Sequence, residues 1–378
     1  MAPASFIVPP GCIDLTVNDP TACGFVYEQS LYAPLTDEEP SRYRPASLGV
    51  EEARLAIAAY YEARGVTISP ERIWLGSGTS ELFLQALWLV ADPGDSILTP
   101  APGYPLHEML AKMADTRPVE YALHYDAGWH IDRSSIEAAW CDANVAACCV
   151  VSPSNPAGLY LDTDSRACLE GQCTERGAAL IVDEVFADYP LRDGANTFFA
   201  ATEPSCLSFV LSGLSKVAAL PQMKLGWGVV LGPDKAVGQA LARLEQIADA
   251  FLSVSTPLQR ALPRLLEAST PMQKSIRRRC RENFELLREA AGRGAFGVYE
   301  SDGGWNAVLR LPQLPGWDDT RWTETLRYEQ GVATQPGYLF NLADPPPHLV
   351  VSLLVPSPTF RVGVARLSEG VDHFVGAG

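Results

Sequence analysis

Three short stretches carry residues able to do chemistry. The first is Ser212-Gly213-Leu214-Ser215-Lys216, followed by the apolar Val217-Ala218-Ala219-Leu220. A lysine set among apolar residues favours its neutral form, because burial penalises the ammonium. The free amine is a nucleophile toward carbonyls, the basis of Schiff-base catalysis. The second stretch is 179–184, Ala-Leu-Ile-Val-Asp-Glu, which puts the carboxylate of Asp183 at the end of an apolar run. An Asp-Glu pair there also looks like the metal-binding strand of an ATPase, but the chain has no Gly-Lys dipeptide for the matching phosphate loop. The third is Gly76-Ser77-Gly78-Thr79-Ser80. Small residues let backbone N–H groups approach a phosphate, and the start of a helix favours an anion. The third glycine of a dinucleotide fingerprint is missing. Taken singly, each stretch could be an ordinary strand-to-helix connection or surface loop.

Apolar runs and helical periods supply the scaffold. Candidate strands are 73–76, 96–99, 118–123, 145–152, 179–182, 207–211 and 226–231. Helical patterns cover 50–64, 80–90 and 162–176. In the second, Leu82, Phe83, Ala86, Leu87 and Val90 share a face and Ser80 is the expected cap. Such alternation predicts an α/β fold with a mainly parallel, seven-stranded sheet covered on both faces. A carboxylate at the C-terminal end of a buried strand then points into the ligand crevice. From about residue 269 the pattern changes. A basic helix is expected at 274–291, strand character at 298–311, a Pro-rich loop at 312–317, a strand at 349–355 and a closing helix at 359–374. The expected division is an arm at 1–42, a large domain at 43–268 and a smaller α+β domain at 269–378.

Composition excludes several classes. The 378 residues are 47% hydrophobic and 20% charged, ordinary for a globular chain. Lys and Arg number 29 and Asp and Glu 45, a net charge of −16, which argues against a nucleic-acid partner. No apolar run reaches the roughly 18 residues of a membrane span, and the N-terminus does not read as a signal peptide. Nine cysteines without a C-x-x-C pair argue against a disulfide framework or structural zinc. His107, His124, His130, His348 and His373 are not spaced as metal ligands and read as structural or exposed, so no metal is expected. The run Arg277-Arg278-Arg279 reads as a solvated face. A reduced, cytoplasmic protein is expected.

The order of the three stretches resembles the class I/II aminotransferases, pyridoxal-phosphate enzymes of fold type I, from about Tyr43 to the C-terminus. The resemblance implies that Lys216 forms the Schiff base with pyridoxal 5'-phosphate and moves protons at the substrate's amino carbon. It implies that Asp183 pairs with the ring nitrogen. Asn155, in Ser-Pro-Ser-Asn-Pro-Ala-Gly, is similar to the asparagine that holds the ring oxygen, and Tyr104, in Pro-Gly-Tyr, to the aromatic that stacks on the ring. Ser77, Gly78 and Thr79 would hold the phosphate with Ser215 and Lys224. Tyr43 is similar to a tyrosine that reaches the phosphate of a neighbouring subunit, which implies a homodimer with shared active sites. The implied activity moves an amino group from an amino acid or amine to a keto acid by ping-pong chemistry.

Four positions depart from the family pattern. Phe186 stands where a tyrosine usually donates to the ring oxygen. Lys224 replaces an arginine on the phosphate and gives up its bidentate fork. Gly213 replaces a serine, for which Ser212 is a possible substitute. The arginine that usually binds the substrate carboxylate has two candidate registers. The strand pattern favours Val350 at that place, and Arg361 is the alternative, at the start of the closing helix. If Val350 is correct the usual clamp is absent, with Arg310 or Arg44 as substitutes. Phe186 and Val350 therefore keep open a lyase or other Cα, β or γ reaction on the same scaffold. A noncatalytic regulator would need a DNA-binding module, for which the residues before Tyr43 are too few.

Overall fold

The computed structural model describes residues 8–36, 45–141, 144–194, 198–343 and 345–376. Its centre is a sheet of eight strands. Their spatial order is Ile73–Gly76, Gly226–Leu231, Ser208–Gly213, Ala179–Asp183, Val145–Val151, Ser96–Ala101, Arg117–Tyr125 and Trp129–Ile131. All seven expected strands are present. The eighth, Trp129–Ile131, pairs antiparallel with Arg117–Tyr125, and three residues are too short to show a period. The five central strands from Ser208–Gly213 to Arg117–Tyr125 run parallel. Gly226–Leu231 runs antiparallel to both its neighbours.

Strand Ala179–Asp183 shows why the parallel core reads as unbroken apolar sequence. Leu180 and Val182 pack into the core with Leu75 and Val210, while Ala179 and Ile181 pack on the opposite face with Leu82 and Phe83. Both faces are covered, so neither admits polar residues. Helix Thr79–Val90 starts one residue earlier than expected. Its N-cap is Gly78, with φ +119°, and no side chain caps it, so Ser80 lies inside the first turn. Helix Thr163–Arg176 is capped by Asp162, whose carboxylate accepts from Ser165 N.

A second sheet joins Gly297–Val298, Asn306–Arg310, His348–Ser352 and Gln335–Pro336, all antiparallel. The N-terminal segment ties to this part: Ile13–Asp14 pairs parallel with Val332–Ala333, and Leu15 O accepts from Ser352 N. The basic helix is longer than expected. It runs Thr256–Ala291, 36 residues with Pro263 and Pro271 inside it, so residue 269 falls within one helix. The prolines hid the continuity, because a proline in a helical pattern usually marks an end. Arg279 is not on a solvated face: its guanidinium donates to Cys23 O and Leu354 O. The closing helix is Ser357–Gly376.

Candidate active site

A cleft of about 430 Å³ opens at the C-terminal ends of the parallel strands, between the two sheets. Eight of the cofactor-site residues expected from the sequence line it: Gly78, Thr79, Tyr104, Asn155, Asp183, Ser215, Lys216 and Lys224. A larger cavity of about 840 Å³ lies between the N-terminal segment and helix Thr256–Ala291, away from all of these residues.

Each side chain has a local reason for its place. Strand Ser208–Gly213 passes directly into the short helix Leu214–Val217, which carries Lys216. That turn is held from outside: Tyr189 Oη donates to Lys216 O at 2.5 Å and Tyr27 Oη to Ala219 O at 2.7 Å. Lys216 Nζ lies 4.9 Å from the Trp305 ring centre and 5.4 Å from that of Phe186. Burial pulls the amine below its ordinary pKa, and Asp183 and Asp19 pull the other way. Asp183 ends its strand, accepts from Val185 N through Oδ1 at 3.0 Å, and has Oδ2 3.4 Å from His107 Nε2.

The opposite end of the cleft is an anion cradle. Gly78 and Thr79 open helix Thr79–Val90, whose first N–H groups have no partner within the helix. Lys224 adds a point charge. Gly226 packs so closely that a Cβ there would stand 3.0 Å from Gly78 Cα and Thr79 N. A Cβ at Gly213 would lie 3.0 Å from Gly226 Cα and Leu225 O, which accounts for glycine instead of serine at that position. Ser212 is no substitute: it is buried and does not line the cleft. Ser77 is exposed and also lies outside the cleft lining. Tyr43 and Arg44 lie outside the described residues.

The two candidate registers lie in different places. Val350 is in the middle of strand His348–Ser352, paired with Val308 and Gln335, and fully buried. Arg361 is exposed on helix Ser357–Gly376 and does not line the cleft. Arg310 is exposed at the far end of strand Asn306–Arg310.

Several residues of the site escaped the sequence. His107 is not a bystander: it is buried, lines the cleft and faces Asp183. Its signal was its place three residues after Tyr104 on helix Pro105–Met113. Asn306 donates through Nδ2 to Asn155 Oδ1 at 2.7 Å, and its signal was a lone amide in an apolar strand. Asn18, Gln335 and Phe340 also line the cleft, and no periodicity marks them.

A family model described as aminotransferase class I and II matches residues 12–376. The chain belongs to the aminotransferase class I and II family. Among its relatives, the glutamate-pyruvate aminotransferase AlaA of Haemophilus influenzae is 27% identical over 67% of this chain and 63% of that protein. The alanine aminotransferase of Mycobacterium bovis is 25% identical over 66% of this chain and 59% of that protein. The chain thus spans less than two thirds of these relatives. Among solved structures, alanine aminotransferase from Pyrococcus furiosus has a TM-score of 0.87 at 21% identity, covering 96% of this chain and 92% of its own. Tyrosine aminotransferase from Leishmania infantum gives the same values. These likenesses show the fold, fold type I of the pyridoxal-phosphate enzymes.

Pyridoxal 5'-phosphate is the cofactor of this family, and the residues present fit it. The cleft has a cradle for a dianion, an amine for an aldehyde, a carboxylate for a pyridinium and an amide for a phenolate oxygen. Half-exposed Tyr104 offers an aromatic face nearby.

Proposed function

We propose that this protein is a pyridoxal-phosphate-dependent aminotransferase that moves an amino group from an amino acid or amine to a keto acid in two half-reactions. The observation that carries this reading is the meeting of Lys216, Asp183, Asn155 and the Gly78–Thr79 cradle in one cleft, within a chain of this family.

The bound cofactor supplies an electron sink conjugated to the substrate's amino carbon. Lys216 would hold the cofactor aldehyde with its amine and would take and return the proton at the amino carbon. Its burial shifts the amine toward the neutral form, the direction that task requires. Asp183 would hold a proton on the ring nitrogen, with His107 orienting Asp183 through the 3.4 Å contact. Asn155 would donate to the ring oxygen through its amide nitrogen, because its Oδ1 already accepts from Asn306. Lys224, Ser215 and the helix start would hold the phosphate. Phe186 and Trp305 exclude water from the amine.

The named relatives are aminotransferases, which leaves the lyase alternative without support. One apolar cluster draws mainly on residues 276–371 with Leu15 of the arm, joined by Phe186, Tyr189, Leu191 and Ala219, which favours a smaller part at 269–378 joined by the arm 1–42 and packed on a cofactor part at 43–268. The nine free thiols favour a reducing, cytoplasmic setting. The stacked pair Trp88–Phe251, with Leu252 70% exposed beside it, favours a homodimer.

The test is the visible absorbance of protein incubated with pyridoxal phosphate. Wild type should gain an absorbance band that an amino donor bleaches and a keto acid restores. Lys216→Ala should gain no such band and lose turnover by at least about 10⁴-fold. A variant that keeps turnover would sink the assignment.

A further inference from the structure

Among its described lining residues the cleft has no cation to spare for a substrate once the cofactor is held. Among the described residues lining it, the lysines are Lys216 and Lys224, and no arginine is present. The first would serve the cofactor aldehyde and the proton at the amino carbon, and the second the phosphate. The wall beside Asn155 is instead built from Asn306, Gln335 and Phe340. Phe340 belongs to an apolar cluster with Val308 and the fully buried Val350.

The two amides are set as acceptors. Asn306 is 4% exposed, and its Nδ2 is used on Asn155, which leaves Oδ1 buried without a partner. Gln335 Oε1 is also buried without a partner. A buried acceptor left unmade costs free energy, so this wall suits a ligand that brings hydrogens. A carboxylate brings charge and more acceptors. Against two amide oxygens and a phenyl ring it would be desolvated with no counter-charge.

We propose, building on the aminotransferase reading, that the amino substrate is uncharged beside its amino carbon: a primary amine bearing a hydroxyl or carboxamide there in place of a carboxylate. Its O–H or N–H donates to Asn306 Oδ1 and Gln335 Oε1, and its carbon skeleton rests on Phe340. The carbonyl partner meets the same wall in the return half-reaction. Hydroxy-aldehydes and hydroxy-ketones are therefore the better acceptors, and keto acids saturate weakly.

The experiment titrates the cofactor-loaded protein with 2-aminopropan-1-ol, alaninamide, alanine and isopropylamine, and reads a Kd for each from the absorbance change. The alcohol and the amide should bind at least about tenfold tighter than the other two. Alanine binding tightest overturns the proposal, and so does isopropylamine binding as tightly as the alcohol. Asn306→Leu should bring the alcohol down to the affinity of isopropylamine; if that variant fails to fold, the wild-type panel still decides. A protein that gains no absorbance band with cofactor sinks the aminotransferase reading and this inference with it. That failure is distinguishable, because it appears before any amine is added.

Discussion

Phe186 is where a single atom changes the chemistry. Its ring is buried, meets Trp305 edge-on at 5.2 Å and lies 5.4 Å from Lys216 Nζ. It can exclude water but cannot donate a hydrogen bond, so Asn155 is left to serve the ring oxygen. Phe186→Tyr should add a donor to that oxygen. Hydrogen bonding to the anionic form favours it, so the oxygen holds the neighbouring proton less strongly. The pH midpoint of the lysine-bound cofactor's visible band should fall by about one unit. An unchanged midpoint would mean that the phenol does not reach the ring. At this scale the sequence was legible wherever a residue stood at the end of a regular element, as Asp183 and Lys216 do. His107 and Asn306 were not, because their roles come from partners far away in the chain, Asp183 and Asn155.

Elements bring these residues together, and two of them can be tested by how tightly they pack. The cradle depends on strand Gly226–Leu231 lying against the start of helix Thr79–Val90 without a side chain between them. Gly226→Ala would push a methyl group to within 3.0 Å of Gly78 Cα and Thr79 N. Overpacking of this kind costs about 1–3 kcal/mol, so pyridoxal phosphate should bind roughly tenfold more weakly by absorbance titration. Equal affinity would show that this turn does not hold the phosphate. The strand that ends in Asp183 continues into Glu184, which is 2% exposed. Burial raises its pKa from 4.5 to about 8, against the pull of Phe199 N and Arg166. Glu184 is then protonated in the folded chain and ionised in the unfolded one between those values. Folding takes up a proton there, so stability falls as pH rises through the window. His348 acts with the opposite sign, because burial lowers its pKa from 6.5 to about 4 and its stabilisation is lost as pH falls through that range. Between pH 6.5 and 8 only Glu184 of the two titrates. The melting temperature should decline there in wild type and decline less in Glu184→Gln, and parallel curves would refute the assignment. The strands were legible because both faces of a parallel sheet are apolar. The 36-residue helix was not, because Pro263 and Pro271 interrupt its pattern without ending it.

For the whole molecule, the question is what covers the apolar surface left outside the cores. Trp88 lies in the last turn of helix Thr79–Val90 and Phe251 ends helix Asp234–Phe251. Their rings stack at 5.6 Å and 23° while remaining 43% and 44% exposed. Leu252 beside them is 70% exposed at φ +66°. A bulky aliphatic residue is rarely held in that conformation and in water without a further contact. The patch lies at the far end of the helix whose first turn forms the cradle, so a second copy seated there would brace the cofactor site from behind. Trp88 and Phe251 are 163 residues apart in the sequence, and only the fold brings them together. With a net charge of −16 per chain, two copies repel each other at long range, and burial of apolar surface must outweigh that repulsion. Light scattering should therefore give twice the 40.9 kDa of one chain, and added salt should tighten the association by screening the charge. Phe251→Asp should shift the protein toward monomer and, if the patch braces the cradle, weaken cofactor binding with it. A wild-type monomer at micromolar concentration would refute the dimer. A monomeric Phe251→Asp with unchanged cofactor affinity would keep the dimer and remove its link to the site.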